Sequence, residues 1–238
     1  MMSHDHLNYG RHILSTWIED FPVATALDIG IGHGDDLSIV LQRYPSARCE
    51  GVESNVHYAN AMRAKGFGIA EINLERAELP YADASFDLVI ANQIFEHVKD
   101  IFWILDQIAR VLKPGGRLYL GVPNLASLHN RLLLALGRQP TCINSASAHV
   151  RGFTKPDVLN LLNSCWPGGF ALNGFRGSNF YPFPRSVARA AADLFPSASV
   201  TIFFWFEKRK EYAGEFLKYP VDLETNFFLG QQVHHVVN

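Results

Sequence analysis

The chain has 238 residues and a formal net charge of −2 at pH 7, from 21 basic and 23 acidic side chains. This balance gives no electrostatic reason to expect a nucleic-acid partner. The three cysteines form no C-x-x-C pair, which argues against a disulfide scaffold or a zinc site and favours a reducing, cytoplasmic setting. No run approaches the roughly 18 apolar residues of a spanning helix, and residues 1–11 hold no apolar signal segment. We therefore expect neither a membrane span nor secretion.

A strand, a glycine-rich turn and a helix follow one another early in the chain. The apolar run over residues 23–29 predicts a buried strand, and helical periodicity predicts a helix over residues 35–43. Between them stand Gly30, Gly32 and Gly34. Glycines allow positive φ and let a ligand lie against the main chain, while the helix start offers unpaired N–H groups. The pattern predicts a loop that holds a small molecule.

An acidic residue near the end of this strand bears on which cofactor the loop binds. The dinucleotide fingerprint G-x-G-x-x-G faces a pyrophosphate, whereas here the glycines alternate and Asp28 precedes them. A carboxylate repels phosphate but suits a cofactor with a cationic amino group. The order D-x-G-x-G-x-G resembles the first motif of class I S-adenosylmethionine-dependent methyltransferases, a doubly wound α/β family. The resemblance implies that Asp28, Gly30, Gly32, His33 and Gly34 contact the cofactor.

The predicted second strand, residues 48–53, ends in a second acidic residue, Glu53. A carboxylate at this strand tip, about 20 residues after the glycine loop, is placed to accept hydrogen bonds from both hydroxyls of a ribose. Ser54 next to it is assigned to the same site. The alternative is that Glu53 is a surface residue that caps the predicted helix over residues 55–65.

The segment between the third and fourth strands carries a further part of the resemblance. Residues 67–73 read as a short strand, and the later Leu-Pro-Tyr and Ser-Phe-Asp-Leu-Val sequences resemble the family's approach to its fourth strand. In the family an acidic residue just after strand three lies near the adenine amino group. Here Asn73, Leu74 and Glu75 fill that place, so the contact is assigned to one of these three residues. Asparagine keeps an acceptor oxygen but not the charge.

The fourth predicted strand, residues 87–91, opens onto Asn92, which is assigned to the cofactor site. Glu-His-Val at residues 96–98 resembles a family signature at the start of the next helix, and R-V-L-K-P-G-G-R-L at residues 110–118 resembles the turn into strand five. His97 is the second candidate for a general base. The alternative is a structural histidine that is hydrogen-bonded to the backbone.

The predicted fifth strand, residues 118–122, is followed by Asn124, which is assigned to the acceptor side. Residues 141–148 read as a loop without periodicity, and His-x-Arg-x-Phe-Thr follows, similar to a subgroup of these methyltransferases acting on sugars, quinone precursors and secondary metabolites. His149 and Arg151 alternate, so in an extended segment they point to opposite sides. Either one faces the acceptor, or Arg151 clamps the loop to a carboxylate while His149 packs.

The elements together predict an α/β fold with a doubly wound, seven-stranded, mostly parallel sheet whose last strand is antiparallel, with a helical cap and a C-terminal extension. We expect one domain: a cofactor-binding half over about 21–123, acceptor-side insertions over about 124–165 and 177–196, and an extension over about 209–238. The aromatic tail is a candidate for the acceptor pocket or a homodimer contact. His234 and His235 are expected to be solvent-exposed, and no metal site is expected.

The predicted activity is methyl transfer from S-adenosylmethionine, which becomes S-adenosylhomocysteine, to a small-molecule acceptor. The expected acceptor atom is an oxygen of a sugar, glycan or secondary metabolite, with His149 as the first candidate base and His97 as the second. One alternative is a binding protein that holds the cofactor without catalysis and serves as an interaction partner. A less favoured one is an NAD-dependent oxidoreductase.

Overall fold

The computed structural model describes residues 5–223, and it contains one sheet of seven strands. The strands lie in the order β3-β2-β1-β4-β5-β7-β6, and β7 alone is antiparallel to its neighbours. This arrangement confirms the predicted fold. The helices and strands are α1 (Asp5–Asn8), α2 (Arg11–Trp17), β1 (Thr25–Ile29), α3 (Asp35–Arg43), β2 (Arg48–Val52), α4 (Val56–Ala64), β3 (Gly68–Ala70), β4 (Phe86–Asn92), α5 (Ile101–Val111), β5 (Leu112–Pro123), α6 (Leu128–Ala135), α7 (Lys155–Cys165), β6 (Phe170–Ser178), α8 (Arg185–Leu194), β7 (Thr201–Lys208) and α9 (Glu215–Lys218).

Apolar side chains cover both faces of the sheet. One core cluster contains most of α5, whose side chains are buried nearly all round, together with Trp166 and Phe216. The other cluster packs α2 and α3 against the opposite face, around Leu88, Tyr119 and Phe203. Parallel strands that are buried on both faces in this way bind ligands at their carboxyl ends. Strand β1 lies between β2 and β4, so the order of the sheet reverses beside it.

Several predicted element bounds are wrong, and long-range packing explains the clearest case. The apolar periodicity of residues 7–19 predicts a single helix, but the structure splits this segment into α1 and α2 at Gly10, which has a φ of 56°. A Cβ at Gly10 would lie 2.4 Å from the Phe203 ring, so the chain turns there to let the sheet residue approach. The split brings Asn8 and Tyr9 to the carboxyl edge of the sheet.

Three other corrections lie around the middle of the chain. Glu96-His97-Val98 lies in a turn, not in a helix, because α5 begins only after Asp100, whose side chain accepts a hydrogen bond from the Trp103 N–H. The sequence predicts five consecutive strand–helix units, but no helix joins β3 to β4, so the third unit has only turns. The pair Gly115-Gly116 predicts the end of the helix before the fifth strand, but α5 already ends at Val111, and β5 begins at Leu112 and not at residue 118.

Among residues 5–223, no helix is both long and apolar enough to cross a membrane. The aromatic tail from residue 224 onward and the His234-His235 pair lie outside the described residues. The proposed division into a cofactor-binding half, two insertions and an extension remains a prediction.

Candidate active site

A cavity of about 490 Å³ opens at the carboxyl ends of β1 and β4, where the sheet order reverses. The glycine loop forms one wall, the N-terminal segment the second, and the turn after β4 the third. Its lining comprises Asn8, Tyr9, Arg11, Asp28, Gly30, Ile31, Gly32, His33, Asp35, Asp36, Asn92, Gln93, Ile94, Glu96, His97 and His149. Five of the cofactor-binding residues assigned from sequence and both candidate bases are therefore brought together here.

The three glycines of the loop all have positive φ, with values of 80°, 51° and 75° at Gly30, Gly32 and Gly34. Neighbouring side chains leave no room for a Cβ at two of these glycines. A Cβ at Gly30 would lie 2.2 Å from Ile94 Cδ1, and one at Gly34 would lie 2.7 Å from Met62 Sδ. A Cβ at Gly32 would meet only the Gly30 carbonyl oxygen, at 3.9 Å. The space beside Gly32 therefore belongs to the cavity, and a ligand can lie directly on this peptide.

Carboxylates dominate the charge of the cavity. Burial, and then the charge of Asp36, raises the pKa of Asp28 well above its usual value. Burial also raises the pKa of Asp36, opposed by hydrogen bonds from Asn92 and Arg11. Arg11 is the cation among them, with its guanidinium 2.8 Å from Asp35 and 3.1 Å from Asp36. Buried carboxylates that repel one another favour a cationic ligand, because a positive charge stabilises their ionised forms.

Glu53 bridges the glycine loop and the start of α4. Its Oε2 accepts a hydrogen bond from the Gly32 N–H at 3.2 Å, and its Oε1 accepts one from the Asn55 N–H at 2.8 Å. Asn55 itself caps α4 by accepting from the His57 N–H at 2.9 Å. A carboxylate has about four lone-pair sites, so both oxygens keep capacity for ribose hydroxyls. Ser54 is exposed and does not line the cavity.

The three residues assigned to the adenine lie in the loop between β3 and β4, which they connect to α5 and the turn before it. Asn73 Oδ1 accepts from the Glu75 N–H at 2.9 Å, and the Leu74 carbonyl accepts from Trp103 Nε1 at 3.0 Å. The Glu75 carboxylate accepts from the Lys99 N–H. None of the three lines the 490 Å³ cavity. Their contact with adenine remains a prediction.

Two histidines and a buried glutamate meet at the far wall. One carboxylate oxygen of Glu96 and one ring nitrogen each of His97 and His149 lie within 4.8 Å of one another. The Nδ1 atoms lie 3.3 Å from the Ala148 carbonyl and 2.8 Å from the Cys142 carbonyl, respectively. A carbonyl oxygen only accepts, so each Nδ1 carries the proton and each Nε2 keeps its lone pair. Burial lowers the pKa of His97.

Sequence reasoning missed Glu96, because it read Glu-His-Val as the start of a helix. Glu96 is 1% exposed, and its Oε2 has no hydrogen-bond partner among the described residues. Burial raises the pKa of this carboxyl to about 7. The Glu96, His97 and His149 donors are also of the kind that binds divalent cations. The only signal for Glu96 in the sequence is that it adjoins His97.

The raised pKa of Glu96 predicts a pH-dependent stability that a glutamine variant removes. The folded state binds this proton up to about pH 7, while the carboxyl of the unfolded chain, whose pKa has the ordinary value of 4.5, loses it earlier. The free energy of unfolding therefore falls as pH rises through this window. Urea unfolding of Glu96→Gln and the parent should show the variant gaining, relative to the parent, about 2–3 kcal/mol between about pH 4.5 and 8. Parallel pH profiles would contradict the assignment.

The two residues assigned to the acceptor side bond to the backbone outside the 490 Å³ cavity, and their contact with an acceptor remains a prediction. Asn124 is buried, with Nδ2 donating to the Ser197 and Ser199 carbonyls at 2.9 and 2.8 Å. Arg151 Nη2 donates to the Lys99 carbonyl at 2.6 Å, near the Asp100 carboxylate. Neither lines the 490 Å³ cavity, whereas His149 does. His149 and Arg151 thus have different contacts, and Arg151 holds the turn before α5.

Comparison with known proteins agrees with this architecture. Residues 27–120 match the family described as "Methyltransferase domain". The 27-O-demethylrifamycin SV methyltransferase of Amycolatopsis mediterranei is 39% identical over 112 residues, 43% of this chain and 41% of that protein. The trans-aconitate 2-methyltransferase of an Azoarcus species is 31% identical over 102 residues, 42% of this chain and 39% of that protein.

A solved structure extends the similarity of the fold beyond the matched segment. The Burkholderia thailandensis 1,6-didemethyltoxoflavin-N1-methyltransferase, bound to 1,6-didemethyltoxoflavin and S-adenosylhomocysteine, superposes with a TM-score of 0.55 at 18% identity, over 85% of this chain and 80% of that one. The chain spans about half or less of the length of the curated relatives it matches. Over residues 27–120 the chain is therefore similar to methyltransferase domains, and the similarity of the fold extends beyond that segment.

Proposed function

We propose that this protein transfers a methyl group from S-adenosylmethionine to an oxygen of a small-molecule acceptor, a sugar, glycan or secondary metabolite. The observation that carries the proposal is the acid-lined cavity at the switch point of the sheet, closed on one side by a loop of three positive-φ glycines. A related protein's name, 27-O-demethylrifamycin SV methyltransferase, supports oxygen as the acceptor atom.

The residues present fit this cofactor. Asp28 and Asp36, whose ionised forms a bound cation stabilises, supply negative charge toward its amino and sulfonium groups. The Glu53 carboxylate has remaining acceptor capacity for the ribose hydroxyls, and the open face of Gly32 receives the ligand against the main chain. When bound, the cofactor supplies an electrophilic methyl group on a sulfonium.

The chain's own residues would mainly hold the acceptor in line with the methyl–sulfur bond and exclude water. Positioning of this kind corresponds to an effective molarity of about 10⁵–10⁸ M. For a hydroxyl acceptor, His149 Nε2 takes the hydroxyl proton as the acceptor oxygen gains the methyl group. The Glu96 carboxyl, whose pKa burial raises to about 7, lies within 4.8 Å of both ring nitrogens, and an imidazolium formed there would favour its ionised form. His97 is the second candidate for this role.

The test is methyl transfer from methyl-labelled S-adenosylmethionine to a panel of hydroxylated sugars, phenols and alcohols. We expect labelled product with at least one acceptor class and equimolar S-adenosylhomocysteine by mass spectrometry. Cofactor binding without turnover on any acceptor would favour an interaction protein instead. Nicotinamide fluorescence that shifts on mixing with NADH would favour an oxidoreductase.

Replacing Gly32 by alanine should separate cofactor contact from backbone strain. Gly115 is the matched control, because its φ of 78° is also positive and a Cβ there would meet nothing within 4 Å. Both alanine variants should lose roughly 1–2 kcal/mol of stability through the left-handed conformation. Isothermal titration should show weaker S-adenosylmethionine binding, by about tenfold or more, for Gly32→Ala alone. Equal affinities for the two variants would mean that the ligand does not lie on this peptide.

A further inference from the structure

A second and a third cavity continue from the candidate active site toward α6. The second has a volume of about 170 Å³ and shares Asn8, Gln93 and His149 with the 490 Å³ cavity. The third has a volume of about 730 Å³ and shares Asn8, His129, Thr141 and Val200 with the second. We call the second cavity the neck and the third the chamber. The shared lining residues place the three cavities next to one another, with the neck between His149 and the chamber.

The walls of the chamber are apolar. Leu128, Leu132 and Leu133 of α6 face Tyr181, Pro182 and Phe183 across it. No carboxylate, lysine or arginine is among the residues that line the chamber, in contrast to the acidic 490 Å³ cavity. Burial lowers the pKa of His129, the one titratable side chain with a basic nitrogen there. Such a surface binds an uncharged apolar group and offers a sugar few hydrogen-bond partners.

Several apolar side chains that line the chamber are more exposed to solvent than side chains in a closed hydrophobic core. Leu132 of α6 is 58% exposed, and Tyr181 and Phe183 opposite it are exposed as well. A ligand of drug-like size that fills about 730 Å³ would cover these groups. Each CH₂ group that the ligand buries there strengthens its binding by up to about fourfold.

Polar groups fix the neck. His129 Nε2 lies 2.8 Å from Thr141 Oγ1, which in turn donates to Asn130 Oδ1 at 3.1 Å. Gln93 has a positive φ of 59°, and its buried Nε2 has no hydrogen-bond partner among the described residues. A non-glycine residue held at positive φ is uncommon and recurs at functional sites. The Gln93 amide is thus a free donor where the neck meets His149.

We infer that the methyl acceptor is an amphipathic small molecule, with an uncharged aromatic or branched aliphatic body in the chamber and a hydroxyl group that passes the neck to reach His149. This inference rests on the proposed function and narrows it, because it selects a metabolite with an apolar body over a free sugar. Gln93 Nε2 donates to the acceptor's oxygen substituent at the neck.

The test uses the full chain, a series of 4-alkylphenols of increasing length, and methyl glucoside as the sugar. Leu132→Asn introduces a polar group into the chamber, and Leu136→Asn is the matched control, because Leu136 is 75% exposed just beyond α6 and does not line the chamber. We expect KM for the phenols to fall up to about fourfold per added CH₂. Leu132→Asn should raise KM for the longest phenol about tenfold, whereas Leu136→Asn should leave this KM unchanged. Neither variant should change the affinity for S-adenosylmethionine.

A fluorescence titration with the uncharged probe N-phenyl-1-naphthylamine reads the chamber independently of methyl transfer. Binding that Leu132→Asn weakens and Leu136→Asn does not would support the inference even if no cofactor binds, in which case the proposed function alone fails. Methylation of methyl glucoside with no gain from alkyl length would overturn the inference and leave the proposed function standing. A second assay measures binding of the protein to phosphatidylcholine vesicles. Vesicle binding that Leu132→Asn and Leu136→Asn abolish alike would mean that the exposed leucines form a lipid-binding surface, and it would also overturn the inference.

Discussion

Replacing Glu53 by alanine is expected to weaken S-adenosylmethionine binding by about a hundredfold or more. The carboxylate keeps acceptor capacity for two ribose hydroxyls, and charge-assisted hydrogen bonds of this kind contribute about 1.5–3 kcal/mol each. It also holds the Gly32 N–H, so its loss loosens the loop under the ligand. Isothermal titration of the parent and the variant with S-adenosylhomocysteine measures the effect directly.

Two controls separate ribose contact from loop support. Glu50→Ala removes a carboxylate from β2, the strand that Glu53 follows. Glu50 pairs with the exposed Arg48 at 3.2 Å, and its loss should leave binding unchanged. The 2′,3′-dideoxy analogue of S-adenosylhomocysteine should bind the parent far more weakly than the natural ligand, but the Glu53→Ala variant should hardly distinguish the two. An equal loss of affinity for the analogue in both proteins would mean that Glu53 supports the loop and does not contact the ribose.

Replacing His149 by alanine is expected to lower kcat for a hydroxyl acceptor by about 10²–10⁴-fold, with cofactor affinity unchanged. The residue is placed for this role because it lies at the wall shared by the cofactor cavity and the neck. Its Nδ1 donates to the Cys142 carbonyl at 2.8 Å, which leaves Nε2 as the proton acceptor. Single-turnover methyl transfer measures the chemical step without product release.

His57→Ala is the matched control, because His57 is exposed on α4 and does not line the cavity. His97→Ala tests the second candidate in the same assay. Turnover of His149→Ala equal to that of the parent would exclude His149 as the general base. A loss of turnover confined to His97→Ala would assign this role to His97. Inhibition by a chelator, relieved by added Zn²⁺, would instead favour a metal at Glu96, His97 and His149.

Local signals predicted the elements that carry the cofactor loop. Helix α3 spans the predicted 35–43 range, because its periodicity and the glycines before it are read from adjacent residues. Thr154 stands directly before Lys155-Pro156, a pattern that predicts a helix N-cap, and its side chain accepts from the Asp157 N–H at the start of α7. The convergence of Asp28, Gly32 and Asn92 followed from the rule that parallel strands present their carboxyl ends at one edge.

Contacts between distant residues account for what the sequence did not predict. The break at Gly10 depends on the Phe203 ring, and the segment it redirects lines all three cavities through Asn8. Glu96 joins His149 only because the chain returns 53 residues later, with the Val150 N–H donating to the Glu96 carbonyl at 2.7 Å. Neither pairing leaves a periodic signal in the sequence. The chamber likewise forms between α6 and the 179–183 segment, which no local pattern connects.

Isothermal titration of the full chain with S-adenosylmethionine tests the central claim most directly. The acidic cavity, the open Gly32 peptide and Glu53 predict saturable binding with a Kd on the order of micromolar, about −8 kcal/mol, and no heat with NADH. A folded protein that binds neither S-adenosylmethionine nor S-adenosylhomocysteine at about 1 mM, weaker than about −4 kcal/mol, would contradict the account.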